Sequence, residues 1–434
     1  MAENTVSTHR LVALQHRDFR LLWLGQLIST TGSQMQIIAV NWHIYELLRQ
    51  QDYVVSLFGR RITLAAEALG LGTLGLVRIL PIIFFALLGG MLADTRDRRR
   101  LLIWTQSAAA IFAAILAGIT LTGHATVAAI YLLTAAGAAA FAFDQPARQS
   151  LVPNLVPREH LTNAVSLNTL LWQIGSIVGP ALAGVLVGMF NIGLVYAINA
   201  ASFLAVVVAL LMMRYRGRAA AEDTGLGWSA LVEGLRFTYR SRIIWSTMLL
   251  DFLATFFSSA RTMLPIVAGD VLGIGVQGYG LLSTAQPVGA VIAGTILSLR
   301  EEIHRQGVVL LISVAVYGLA TALFGVSTVF ALSYLLFALT GAGDTVSTVI
   351  RGTIRQIMTP DRLRGRMTSV NMIFFMGGPQ LGELEAGLVA AAFGAPFAIF
   401  TGGLATVLLT AWIAWKYPRL RNYTSDTAAE LMVA

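Results

Sequence analysis

Apolar runs long enough to cross a bilayer recur along this chain, separated by short polar turns. A bilayer core takes about 20 apolar residues per helix. Stretches near residues 20–47, 70–93, 101–122, 125–146, 163–189, 193–213, 243–268, 276–299, 307–327, 329–350, 367–393 and 396–416 meet that scale, twelve in all. The pattern predicts an all-α polytopic membrane protein. The longest internal polar stretch, 214–242, divides the chain nearly in half. Within it Trp228, Leu231, Leu235 and Tyr239 recur at helical spacing, which predicts an amphipathic helix lying on the membrane surface. The domain reading is therefore six helices in 1–213, a cytoplasmic linker with its helix over 214–242, and six helices with a tail over 243–434. The first apolar run far exceeds a signal-peptide core, so it reads as a retained span. The insert 50–69 lengthens the loop after span one and has no assigned role.

Composition points the same way. The chain is 56% hydrophobic and only 12% charged, against about 45–50% and 25% for soluble domains, and its mean hydropathy is +0.72. So few charges do not furnish a water-facing surface. Cysteine is absent, which excludes disulfides and thiolate ligands, and the six histidines fall in no metal-binding spacing. No nucleophile–base pair or phosphate loop stands out. The expectation is a protein that is not an enzyme and needs no cofactor or metal.

A net charge of +8 raises nucleic acid as a partner, but the positions of the charges argue against it. Arg49, Arg60 and Arg61 follow span one, and Arg78 and Arg261 fall inside spans. The remaining 25 of the 30 basic residues lie at the termini or in loops after even-numbered spans. That bias predicts cytoplasmic termini and an even number of spans. The arginines report orientation.

The two halves resemble each other without a gap. At a constant offset of 203 residues, Pro157, Ser166 and Asn168 match Pro360, Ser369 and Asn371. Gly175, Gly179, Ala183 and Gly184 match Gly378, Gly382, Ala386 and Gly387, and Arg148 matches Arg351. A duplicated six-helix unit is a transporter signature.

The turn ADTRDRRR (93–100) concentrates charge between two apolar runs. Gly90, Leu92, Ala93, Asp94, Arg98 and Arg99 form G-x-L-A-D-x-x-x-R-R, which resembles the cytoplasmic gating motif of the major facilitator superfamily. Thr95 and Asp97 replace the basic residue and the glycine usual there. The DRRR ending is similar to one branch, the bacterial drug and siderophore exporters that include enterobactin and macrolide efflux proteins. FRLLWLGQLIS, FDQPARQSLVPNLVPREHL, SSARTMLPIVAGD and DRLRGRM resemble that branch too, and the likeness runs over about residues 18–418. It implies two pseudo-symmetric six-helix bundles, alternating access, a small-molecule cargo and a monomer in the lipid bilayer. It also implies that Gly90, Asp94, Arg98 and Arg99 lock the inner side, a carboxylate holding arginines and a helix N-terminus. The equivalent turn in the second half, SLREEIHRQG, has lost the pattern, so the gate is expected to be asymmetric. GSIVGPALAG, with Gly175, Gly179, Pro180 and Gly184, resembles the antiporter motif of proton-coupled exporters. The alternative for it is generic small-residue packing.

Ionisable residues inside spans are costly and mark function by default. Among them are Arg78, Asp251, Arg261, Asp344, Glu383 and Glu385. The resemblance implies that spans one, four, seven and ten line a central cavity, and three of them carry polar stripes. Span one has Gln26, Thr30, Ser33 and Asn41. Span seven has Asp251, Thr255, Ser258 and Thr262. Span ten has Phe337, Thr340, Asp344, Ser347 and Arg351. By helix rise, Arg78, Arg261 and Glu383 sit roughly 24–27 Å from the cytoplasmic ends, which suggests that Glu383 pairs with Arg261. Glu385 lies about 200° around the helix from Glu383, so only one of them faces the cavity. Asp251 and Glu383, with Arg261 and Arg78, are the proton-coupling candidates. Asp344 is alternatively a structural partner of Arg351, and Asp144 with Arg148 a similar structural pair. The expected function is a proton-driven antiporter exporting amphipathic molecules, drug- or siderophore-like. An importer of small polar solutes is the alternative, and a membrane enzyme or channel a third.

Overall fold

Several helices start at local side-chain caps. Asp97, Thr126 and Asn191 each accept the backbone N–H three residues on and so start helices. The computed structural model describes residues 11–57, 60–215, 228–300, 303–360 and 363–424. The first half holds α1 (Arg17–Leu48), β1 (Asp52–Leu57), β2 (Arg60–Ala65), α2 (Ala66–Thr95), α3 (Arg98–Leu121), α4 (Val127–Leu151), α5 (Leu161–Met189) and α6 (Ile192–Met212). Helix α7 (Trp228–Arg240) follows. The second half holds α8 (Arg242–Phe257), α9 (Leu264–Ile266), α10 (Gly275–Ser283), α11 (Ala285–Ser298), α12 (Gln306–Val326), α13 (Phe330–Met358), α14 (Arg364–Phe393), α15 (Ala395–Lys416) and α16 (Pro418–Arg421).

Counting α8–α9 and α10–α11 as one span each gives the twelve expected. Among the described residues, ten segments are long and apolar enough to cross a membrane by length and composition alone. Helices α1 and α14 are equally long but carry polar positions such as Gln26, Thr30, Gln380, Glu383 and Glu385. Their outward faces, like those of the other spans, still present large apolar side chains, among them Leu24, Ile28, Phe375 and Leu388.

Two spans differ from a simple rod. Span seven was expected to run unbroken over 243–268. Instead α8 stops at Phe257, and the chain continues through a 3-10 turn (Ala260–Met263), α9 and a π turn (Val267–Val271). Pro265 supplies no N–H and its ring crowds the carbonyl four residues before it, which breaks the helix here. Pro287 has the same effect between α10 and α11. The groups freed in span seven find side chains. Tyr317 Oη donates to Ser258 O at 3.1 Å, and Ser258 Oγ and Thr406 Oγ1 are 2.8 Å apart. In a membrane such re-satisfaction is required.

The insert after span one is an antiparallel hairpin, with Asp52 opposite Ala65 and Leu57 opposite Arg60. Helix α7 (Trp228–Arg240) falls within 214–242. Its Leu235 and Tyr239 are exposed, while the side chains of Trp228 and Leu231, and residues 216–227, lie outside the described set.

Contacts divide the chain into two compact units, residues 1–40 with 80–223, and 41–79 with 224–434. The C-terminal end of α1, the hairpin and the first half of α2 thus group with the second unit. Within each unit the same packing scheme recurs: α3 lies along α6 and against α4, and α12 lies along α15 and against α13.

Glycines set the closest helix crossings, and these are duplicated too. A Cβ on Gly179 would stand 2.6 Å from Gln34 Cβ and 2.8 Å from Thr31 O, so α5 lies directly on α1. Gly382, its match, is pressed onto Phe256 O of α8. Phe256 follows Thr31 by 225 residues, and Thr255 stands to Gly378 as Thr30 does to Gly175. The repeat seen in sequence is a repeat of contacts.

Candidate functional site

Three polar clusters, each with at least one buried or half-buried ion pair, interrupt the apolar helices. The first lies in the second unit, where α8, α12 and α13 meet. Asp251 on α8 and Arg351 on α13 form an ion pair at 2.7 Å, with side chains only 5% and 4% exposed. Asp344, two turns up α13, reaches the same guanidinium at 3.9 Å and is 46% exposed. Ser347 Oγ accepts from Arg351 at 2.6 Å and Thr348 Oγ1 at 3.0 Å, and Thr348 also hydrogen-bonds Asp344. Ala254, Thr255, Val314, Tyr317 and Gly343 complete a cleft of about 10 Å³, roughly room for one water. Arg355, a turn further along α13, feels Asp251 and Arg351 and donates to Asn371 Oδ1.

The second cluster is also in the second unit. Arg78 of α2 donates to Asn41 Oδ1 at 2.9 Å and faces Glu383 at 3.8 Å. Thr262 hydrogen-bonds Glu383. Arg261, in the break of span seven, interacts electrostatically with Glu383, Arg78 and Tyr279. Tyr279 bonds Asn41 and stacks on Trp42 at 5.7 Å. The expected pairing of Glu383 with Arg261 is thus corrected: the ion-pair partner within 4 Å is Arg78. Equal depth did not fix direction around the helix. Glu385 is half-buried and takes no part in this cluster.

The third cluster is in the first unit. Asp144 accepts from Thr105 at 3.1 Å and Gln106 at 2.7 Å, and holds Arg148 at 2.5 Å. One carboxylate meets one guanidinium, with its hydrogen bonds filled by α3.

The remaining sequence-predicted residues fall in varied settings. Gln26 and Thr30 are buried in helix packing, Thr30 beneath Gly175, and Ser33 is half-buried. Phe337 and Thr340 are buried as well: Phe337 stacks toward Phe324, and Thr340 bonds back to the Phe337 carbonyl. Ser258 is spent on Thr406. Pro180 and Gly184 are buried within α5. Of the arginine turn, Arg98 donates to Ser150 O at 3.1 Å, and Arg99 to the carbonyls of Leu210 and Leu211 at 2.6 and 3.0 Å. These arginines stitch the last turns of α4 and α6, where helix dipoles favour cations. Gly90 and Asp94 lie on α2, with side chains outside the described residues.

Sequence reading missed Tyr317, Gly343, Tyr279 and Arg355. It also missed the contact at the other end of α1, where Tyr45 and Arg49 both reach Asp270, at 2.8 and 3.0 Å. A lone phenol in an apolar helix, as at Tyr317 and Tyr279, was the signal available.

The paired units, the membrane-length helices and the buried charges define a polytopic transporter of the major facilitator type, not an enzyme. The chain belongs to the transmembrane secretion effector family, whose model matches residues 8–433. It is 27% identical over 355 residues to the enterobactin exporter EntS of Salmonella typhimurium, covering 82% of this chain and 81% of that one. It is 27% identical over 402 residues to EntS of Citrobacter koseri, covering 91% and 92%. In fold it is similar to a bacterial homologue of the human lysosomal transporter Spinster in an inward-facing, occupied conformation (TM-score 0.71, 13% identity, 94% and 98% covered). It is also similar to the nucleoside transporter NupG (TM-score 0.68, 14% identity, 94% and 100% covered).

Proposed function

We propose that this protein is a proton-coupled antiporter that exports amphipathic small molecules, siderophore-like or drug-like, from the cytoplasm of a bacterial cell by alternating access. The termini are cytoplasmic, and the working unit is a monomer in the inner membrane. The observation that carries the reading is that Asp251 and Asp344 share Arg351. Two carboxylates beside one guanidinium, against Tyr317, Val314 and Gly343, leave one negative charge for which a proton is the simplest neutraliser. Arg355 adds a second cation on the Asp251 side, eleven residues and about 16 Å of helix rise from Asp344. Asp251 is therefore the fixed anchor, and Asp344, part-exposed and 3.9 Å from Arg351 against 2.7 Å for Asp251, is the exchangeable group. The first unit supports the contrast: Asp251 corresponds to Gln26 and Asp344 to Phe141, so no such imbalance is built there. Export is favoured over import by the enterobactin exporters among the relatives and by GSIVGPALAG.

Everted vesicles energised by respiration test this. Uptake of a catecholate siderophore or a macrolide should collapse with an uncoupler and with Asp344→Asn. Uptake indifferent to the proton gradient would end the antiport reading.

A further inference from the structure

The cluster around Arg261 has the opposite balance. Two arginines, Arg78 and Arg261, face one carboxylate, Glu383. Arg78 is committed: it gives one N–H to Asn41 at 2.9 Å, and Glu383 stands against it. Arg261 has no ion pair within 4 Å among the described residues and is exposed. Glu383 does not neutralise both, and its own Oε2 has no hydrogen-bond partner. An arginine inside a span without an ion pair is a functional-site candidate by default.

The backbone is shaped to present that charge. Arg261 sits in the 3-10 turn where span seven is broken, and Ser258, Tyr317 and Thr406 satisfy the break. Discontinuous spans are where transporters build ligand sites. Earlier along the same span, Phe252 and Phe256 stack at 5.9 Å, with Phe374 of α14 edge-on at 6.0 Å. These rings are half-buried and present apolar surface.

We infer that Arg261, assisted by Arg78, binds the anionic oxygens of the cargo, and that the cargo class is an aromatic or apolar body bearing a carboxylate or an equally acidic oxygen group. Arg261 offers a planar fork of donors suited to two oxygens, Tyr279 and Arg78 act on it, and the phenylalanines receive the body. Glu383 holds Arg78 in place and keeps the empty site from exceeding one net charge. This inference rests on the transporter reading, but its test involves neither transport nor a proton gradient.

The test is equilibrium binding to the full-length purified protein. 1-Naphthoate and its uncharged isostere 1-naphthamide are titrated in dodecylmaltoside, with tryptophan quenching as readout, since Trp42 stacks on Tyr279 of this cluster. The wild type should bind naphthoate at least about tenfold more tightly than the amide. Arg261→Gln should abolish that preference, and Arg261→Lys should restore part of it, with melting temperatures confirming that both variants fold. Absence of an anion preference in the wild type, or its survival in Arg261→Gln, overturns the inference. So does a preference lost in nanodiscs of phosphatidylglycerol but kept in phosphatidylcholine, which would assign the site to a lipid headgroup. Proton-coupled transport of a neutral cargo alone would leave the antiport reading intact while removing this one.

Discussion

Arg148 and Arg351 stand at matching positions of α4 and α13, 203 residues apart, yet each takes its aspartate from a different place. Arg148 holds Asp144 on its own helix at 2.5 Å, and Arg351 holds Asp251 on α8 at 2.7 Å. The first arrangement is closed and balanced. The second ties two spans together and leaves Asp344 over. A duplicated scaffold thus carries a one-to-one ion pair in one half and two carboxylates on one guanidinium in the other.

Asp251→Asn should be a folding defect before it is a transport defect. It leaves Arg351 without its close partner at a site 5% and 4% exposed. Losing one member of a buried pair costs about 3–5 kcal/mol. A melting temperature in detergent well below that of Asp344→Asn is the expected result, and equal melting would show that Arg351 does not depend on Asp251.

Asp344→Asn should leave the melting temperature within a few degrees of wild type, because its side chain is 46% exposed and 3.9 Å from Arg351. Its signature lies in pH dependence. With the exchangeable carboxyl removed, cargo binding should lose its variation across pH 6–8, about the neutral range such groups serve. Binding curves at several pH values check this, and an unchanged profile moves the proton to another group.

Gly179→Ala and Gly175→Ala should separate clearly. The first Cβ meets backbone at Thr31 O and the Cβ of Gln34, whereas the second meets chiefly the methyl of Thr30 at 2.9 Å. Overpacking against backbone costs about 1–3 kcal/mol. Gly382→Ala should match Gly179→Ala, since its crossing on Phe256 is the duplicate. Thermal unfolding of the three variants decides it.

Arg99→Gln should loosen the end of α6 without unfolding the bundle. It removes two bonds to the carbonyls of Leu210 and Leu211, of which a partly exposed pair is worth about 1–2 kcal/mol in all. Faster amide exchange at residues 208–213, with little change in global melting, is the expected outcome.

The hydrophobic pattern made the spans legible because bilayer thickness sets one length scale, and the ungapped matches made the duplication legible because packing glycines tolerate no shift. The break in span seven was not legible. A window of about 20 residues averages over Ser258, Ser259 and Pro265, and the hydroxyls that permit the break belong to α12 and α15. The hairpin hid in an insert too short for that window, although YVVSL and RRITL were strand-like and separated by two residues. The partner of Glu383 was missed because helix rise gives depth but not azimuth.

The broken span has a mechanical consequence. A continuous helix must lose backbone hydrogen bonds to bend, and in a bilayer each loss is costly. At Ser258 the regular ladder stops: its N–H still bonds Ala254 O at 3.0 Å, but its carbonyl accepts from Ala260 N at 2.9 Å and from Tyr317 Oη at 3.1 Å. Bending between α8 and the turn at Ala260–Met263 should therefore cost fewer backbone bonds than bending an unbroken helix.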